Sequence, residues 1–91
     1  MYRVLINGKN FLIELDGELK KCGFYTTRFV DAADQSLAQS EATSIVRNDL
    51  FLIENVKNQS DDTPMLFIDG IEYLETYDGT RPGSGFAWYT E

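Results

Sequence analysis

One stretch in the middle of the chain has the spacing of an amphipathic helix, and the segments on both sides of it are strand-like. Asp34 is its predicted N-cap, a capping box from Ser36 to Gln39 is the competing start, and Asn48-Asp49 is the predicted end. A lone helix must bury its apolar side against another layer. The pattern therefore predicts an α+β fold, a mostly antiparallel β-sheet with one main α-helix packed on one face. The apolar side of the helix comprises Leu37, Ala38, Ala42, Ile45 and Val46.

Residues 2–15 alternate in a way that predicts two strands joined by a turn. Asn7-Gly8 suits a two-residue hairpin turn, and a four-residue loop over residues 7–10 is the alternative. In the four-residue version Leu5 would oppose Leu12, which leaves a modest apolar spot on the outer face. Both closures place the same side chains on the core face, namely Tyr2, Val4, Ile6, Phe11, Ile13 and Leu15.

Residues 23–32 are aromatic and β-branched and predict a third strand after a polar connector that runs from Asp16-Gly17 to Lys21. Neither side of this strand is cleanly polar. We therefore expect a bulge near Thr27-Arg28, or an outer face covered by another subunit.

The second half of the chain is expected to return to the sheet. Residues 50–56 fit either a short strand or a helical turn. Residues 65–75 fit either a hairpin at Asp69-Gly70 or one long strand bulged at Gly70, and residues 86–90 predict a final strand. A strand, a helix and a further strand in this order suggest a split βαβ element, as in ferredoxin-like sandwiches.

The length of 91 residues predicts a single domain, residues 1–91, with one core. The chain has a net charge of -7 and lacks the aligned lysines and arginines that a nucleic-acid binder needs. We therefore expect no nucleic-acid partner. No apolar run approaches the ~20 residues of a membrane span. A single cysteine and no signal segment favour the cytoplasm.

Residues for ordinary catalysis are scarce, and we expect no enzyme and no cofactor. The chain has no histidine, the usual general base and the commonest metal ligand. Cys22 has Lys20 and Lys21 beside it but no partner base, so a structural thiol is the simpler interpretation. The acidic residues match no metal-binding loop and are expected to be solvated, with no metal site; they are Asp61, Asp62, Asp69, Glu72, Glu75 and Asp78.

The segment 79–85 resembles an anion-binding loop in composition. A strand rather than a helix is predicted to follow it, which favours a simple turn. If the loop binds a small ligand or anion, the candidate residues are Arg81, Gly83, Ser84 and Gly85.

Aromatic side chains are too numerous for the interior of so small a domain, and exposed aromatics are typical of protein interfaces. We therefore expect a non-enzymatic interaction or accessory module that self-associates as a homodimer or binds another protein. The predicted interface residues are Tyr25, Phe29, Phe86, Trp88 and Tyr89.

Three segments carry a family resemblance: residues 23–33 (GFYTTRFVDAA), the alanine-lined helix, and residues 81–86 (RPGSGF). Together they resemble a family of short uncharacterised bacterial proteins. The resemblance implies a bacterial cytoplasmic source and assigns no activity and no functional residues.

Overall fold

Two long strands joined by a tight turn form the centre of the fold. The computed structural model describes residues 1–75 and 85–91. Asp16 and Gly17 have φ values of 52° and 82°, as a two-residue hairpin turn requires. The elements are β1 (Tyr2–Leu15), β2 (Glu18–Val30), α1 (Gln35–Arg47), α2 (Leu50–Asn55), β3 (Met65–Tyr73) and β4 (Ala87–Thr90).

The predicted hairpin at Asn7-Gly8, with either closure, is wrong, and so is the polar connector after Asp16. Asn7 and Gly8 lie inside β1, where they pair with Tyr25 and Phe24 of β2. The ring of Phe24 covers Gly8 so closely that a Cβ there would overlap it. Both dipeptides suit a turn locally, and packing against β2 selects the second.

A β-bulge in β1 explains why the predicted core face is nevertheless correct. Between the pairs made by Gly8 and Phe11, two residues of β1 oppose one of β2. Asn10, one of the two, has a φ of 65°. The extra residue shifts the alternation by one, so the core side chains before and after the bulge share a face. They are Val4, Ile6, Phe11 and Ile13, all buried.

The sheet order is β3-β1-β2-β4, and every neighbouring pair is antiparallel. Because β1 lies between β2 and β3 and opposes both, β2 and β3 run in the same direction. The helices connect them, which makes a split βαβ element. The predicted α+β fold with a main helix on one face of the sheet is confirmed.

The main helix begins and ends as predicted. The Asp34 carboxylate accepts a hydrogen bond from the backbone N–H of Leu37 (2.8 Å), and Asn48 is the C-cap. The buried stripe is narrower than predicted, because Leu37 and Ile45 are about half exposed at its margins. Small side chains at its centre let α1 lie close on the sheet; Ala38, Ala42 and Val46 are fully buried there.

The remaining alternatives are also resolved. Residues 50–55 form α2, and β3 is one strand, not a hairpin. Its bulge is at Asp69, because the neighbours Leu5 and Ile6 pair with Gly70 and Ile68. No bulge occurs near Thr27-Arg28, where β2 pairs continuously with β1.

Polar side chains on the core side of β2 explain why neither face of this strand is cleanly polar in the sequence. Thr26 and Arg28 both point toward the core and are buried there. The Thr26 hydroxyl donates to the Gly85 carbonyl (2.8 Å). The Arg28 guanidinium lies 3.7 Å from the Asp49 carboxylate and over the Phe86 ring at 5.2 Å. Burial lowers the pKa of Arg28, and the charge of Asp49 opposes that shift.

A polar cluster fixes the connection from α2 to β3 against the bulge of β1. Asn10 donates to the Asp62 carboxylate (2.8 Å), and Lys21 donates to both of them. The Asn58 amide donates to the backbone carbonyls of Asn10 and Asp62. The hydrogen bond from Asn10, followed by that from Lys21, lowers the pKa of Asp62.

Candidate interaction surface

One face of the sheet carries no helix, and we call it the open face. Strand side chains alternate between faces, so the register assigns each residue to one side. The helices pack with Val4 and Ile6 in the core, which makes the opposite side the open one. Its central side chains are Leu5, Asn7, Tyr25, Thr27, Phe29, Phe67, Ala87 and Tyr89.

A buried amide lies at the centre of the open face. Asn7 is only 6% exposed, and its amide donates to the Phe24 carbonyl (3.0 Å) and to the Tyr89 hydroxyl (2.8 Å). Buried polar groups are costly unless they are bonded. The amide therefore links β1, β2 and β4 and holds Tyr89 in one orientation.

The tip of the Tyr89 ring lies over a glycine. A Cβ at Gly23, its partner on β2, would overlap the tip of the Tyr89 ring. The ring also packs beside Tyr25, with centroids 5.7 Å apart and planes at 37°. Gly23 thus creates the space in which the two tyrosines form a continuous aromatic surface.

Shallow depressions flank Leu5 on the open face. One of about 260 Å³ lies over Gly70, where β3 has no side chain. The other, about 420 Å³, lies between Tyr25 and Ala87. At the edge of the face, the Lys9 ammonium lies 5.8 Å from the centre of the Phe67 ring. The surface combines exposed rings with recesses of side-chain size.

The five predicted interface residues do not form one surface. Tyr25, Phe29 and Tyr89 belong to the open face, whereas Phe86 and Trp88 turn to the helix side. There they pack on Phe24 with centroid distances of 4.9 and 5.1 Å, and Phe51 lies 6.3 and 6.0 Å from them. Alternation along residues 86–90 was the signal that separates them. Phe67 was not predicted, and Leu5 was foreseen only as part of a small apolar spot.

The predicted anion-binding residues are mostly outside the described part of the chain. Arg81, Gly83 and Ser84 lie there, so the structure does not bear on them. Gly85 is described and exposed, and its carbonyl accepts the hydrogen bond from Thr26.

Of the candidate reactive groups, Cys22, Asp62 and Glu72 are buried or paired. Asp61, Asp69 and Glu75 are exposed. Cys22 is fully buried on the core side of β2; burial, then the charge of Glu91, raises the pKa of its thiol, against the opposing effect of Lys20. Asp62 is bonded to Lys21, and Glu72 pairs with Arg3 at 3.2 Å. Residues 1–75 and 85–91 contain no group of side chains arranged to hold a metal ion. Asp78 lies outside them.

The same residues include no helix long and apolar enough to cross a membrane. Comparison with protein-family models, curated proteins and solved structures returned no match. Inference about function therefore rests on the surfaces of the domain.

Proposed function

We propose that this protein is a non-enzymatic interaction module that forms a homodimer through the open face of its sheet. Cys22 is a buried thiol, and Asp62 and Glu72 are each paired with a base, which is compatible with a non-enzymatic role. A buried free thiol also suits the reducing cytoplasm that we expect for the protein.

The observation that carries the proposal is the charge of the open face. The whole chain has a net charge of -7, so two copies repel one another over most of their surface. Outward strand positions of the described residues are nearly balanced, with three bases and two acids. A second copy therefore meets less repulsion there than the net charge of the chain implies, and Leu5, Tyr25 and Phe67 also present apolar surface there. The charged residues are Arg3, Lys9, Lys21, Glu14 and Glu72.

The size of the face also supports a dimer. Strands of 14, 13, 9 and 4 residues at ~3.4 Å per residue and ~4.8 Å spacing cover roughly 600 Å² when flattened. Side-chain relief increases that area, and a standard interface uses ~800 Å² per partner. A small domain also gains a larger share of its stability from such burial than a large one does.

Two matched substitutions test the proposal. Tyr25 on the open face is 43% exposed, and Ile45 on α1 is 47% exposed. Tyr25→Glu introduces two negative charges into a symmetric interface and is expected to give a monomer by native mass spectrometry and light scattering. Ile45→Glu adds the same charge on the helix side and should remain a dimer like the unmodified protein.

Either of two results would overturn the proposal. The first is an unmodified protein that is monomeric at tens of micromolar. The second is a Tyr25→Glu dimer as tight as the Ile45→Glu dimer, which would place the contact on another surface.

A further inference from the structure

An apolar groove lies at the edge of the helix layer, and Phe67 belongs both to its rim and to the margin of the open face. The groove runs between α2 and the start of β3 and has a volume of about 530 Å³, within the range of ligand sites. Phe11 and Leu52, both 5% exposed, contribute to its lining together with Val56 and Leu66.

The rim of the groove is also apolar. Ile53, Met65 and Phe67 are each close to half exposed or more, although they sit beside polar loops. Isolated exposed apolar side chains are common, but a contiguous group around a recess is typical of a binding site.

A basic side chain contributes to the lining of the groove. Arg47, in the last turn of α1, lines the groove and also an adjoining polar depression of about 600 Å³ with Ser40, Thr43 and Ser44. Among the described residues, it is the one charged residue that lines either recess. Within residues 1–75 and 85–91, Arg47 makes no ion pair and no side-chain hydrogen bond. A cation in the last turn complements the helix dipole, but that does not explain why none of the described acids lines either recess.

We propose that this groove binds a free aliphatic carboxylate, with its chain along Phe11, Leu52 and Leu66 and its anionic head on Arg47. The apolar lining accepts a hydrocarbon chain, and a guanidinium matches the two oxygens of a carboxylate. The hydroxyl groups of Ser40, Thr43 and Ser44 offer a polar surface at the head end.

A single free molecule, not a membrane surface, is the expected occupant. The groove is recessed, and Arg47 is its one cation. Acids on the nearby elements, including Asp49, Glu54 and Asp61, oppose approach to an anionic bilayer.

Calorimetric titration with dodecanoate below its micellar concentration tests the inference. Arg47→Gln removes the charge while leaving the helix intact, and is expected to weaken binding by about tenfold to a hundredfold. Lys57→Gln is the matched control, because Lys57 is a nearby surface cation that does not line the groove, and it should leave the affinity unchanged. Ile53→Ser, at an exposed rim position, should weaken binding without unfolding the protein.

The ligand itself supplies two further measurements. Each methylene removed between dodecanoate and octanoate should weaken binding by up to about fourfold, if the chain lies in the groove. Dodecyltrimethylammonium has the same tail with the opposite charge and should bind at least ten times more weakly than dodecanoate.

Several outcomes would overturn the inference. The first is that the protein fails to bind dodecanoate, and the second is that the Arg47→Gln variant binds it as tightly as the unmodified protein does. The third is that the protein adsorbs only to anionic phospholipid vesicles. Each of these results contradicts the proposed site. Loss of binding on Arg81→Ala with Arg47→Gln unaffected would instead assign the anion to the segment 79–85. Tyr25 does not line the groove, so Tyr25→Glu should give a monomer that still binds dodecanoate. The failure of one test can therefore be told from the failure of the other.

Discussion

Replacing Gly8 with alanine is expected to lower the free energy of unfolding by about 2 kcal/mol, because the added methyl group would overlap the ring of Phe24. Three ring atoms lie within 3.0 Å of the position of that Cβ, and ordinary contact begins at 3.4 Å. The ring would therefore have to move by roughly 1 Å. It cannot do so freely, since Phe24 is fully buried against Phe11, Phe86 and Trp88 at centroid distances of 5.0, 4.9 and 5.1 Å.

Two other glycines serve as controls for the cause of the loss. A Cβ at Gly70 would meet only Leu5, at an ordinary 3.9 Å, so Gly70→Ala should change stability by less than about 0.5 kcal/mol. Gly17 has open space around it but a φ of 82°, so Gly17→Ala should cost about 1 kcal/mol through backbone strain alone. The three variants thus separate two causes of instability: Gly8→Ala tests a steric overlap, Gly17→Ala tests backbone strain, and Gly70→Ala involves neither.

Urea unfolding at one protein concentration measures all three variants, with the slope of the transition checked for constancy. A loss of about 2 kcal/mol is large against the 5 to 14 kcal/mol expected for a domain of this size. If Gly8→Ala is no less stable than Gly70→Ala, Phe24 does not cover Gly8, and the account of why β1 does not turn at Asn7-Gly8 is refuted.

Three further measurements address individual side chains. Tyr89→Phe removes the hydroxyl that accepts from Asn7 and should cost about 1 kcal/mol in unfolding free energy; Tyr25→Phe, whose hydroxyl has no hydrogen bond within the described residues, should cost nothing measurable. Because the folded pKa of Asp62 is below its ordinary value of 3.8, the unfolded state takes up its proton first. Its stabilisation should be complete above about pH 4 and be lost as the pH falls through the folded pKa; an equal acid response in Asp62→Asn would contradict this. The buried thiol of Cys22 should react with a disulfide reagent far more slowly in the native protein than in urea, and equal rates would show that it is accessible.

Local pattern was a better guide to the fold than to the candidate surface. The surplus of aromatic rings correctly suggested exposed rings, since Tyr25 is 43% exposed. It did not separate Phe86 and Trp88, which complete the core around Phe24, from Tyr89 on the open face. Alternation along β4 divides these side chains between two faces. Only the register of β4 on β2, which pairs residues more than sixty positions apart in the chain, decides which face is the core.

The groove could not be predicted from the sequence, because residues from several separate elements form it. Its lining comes from β1, both helices and the start of β3. Nothing in the local sequence around Arg47 indicates that an apolar recess will lie beside it. Only the packing of α2 against the sheet brings Leu52 and Leu66 together.

The sequence by itself determined the α+β class, the limits of α1 with its Asp34 cap, and the alternation within each half of β1, because periodicity and capping are local properties of the chain. That the two halves share the core face depends on the bulge between them, which the pairing of β1 with β2 defines. Tertiary structure decided which glycine dipeptide turns the chain, since Asn7-Gly8 and Asp16-Gly17 suit a hairpin equally and only the pairing of β1 with β2 distinguishes them. It also decided that Arg28 points inward, where Asp49 of a distant helix supplies the opposite charge. Such choices depend on partners far away in sequence, and no local propensity contains them.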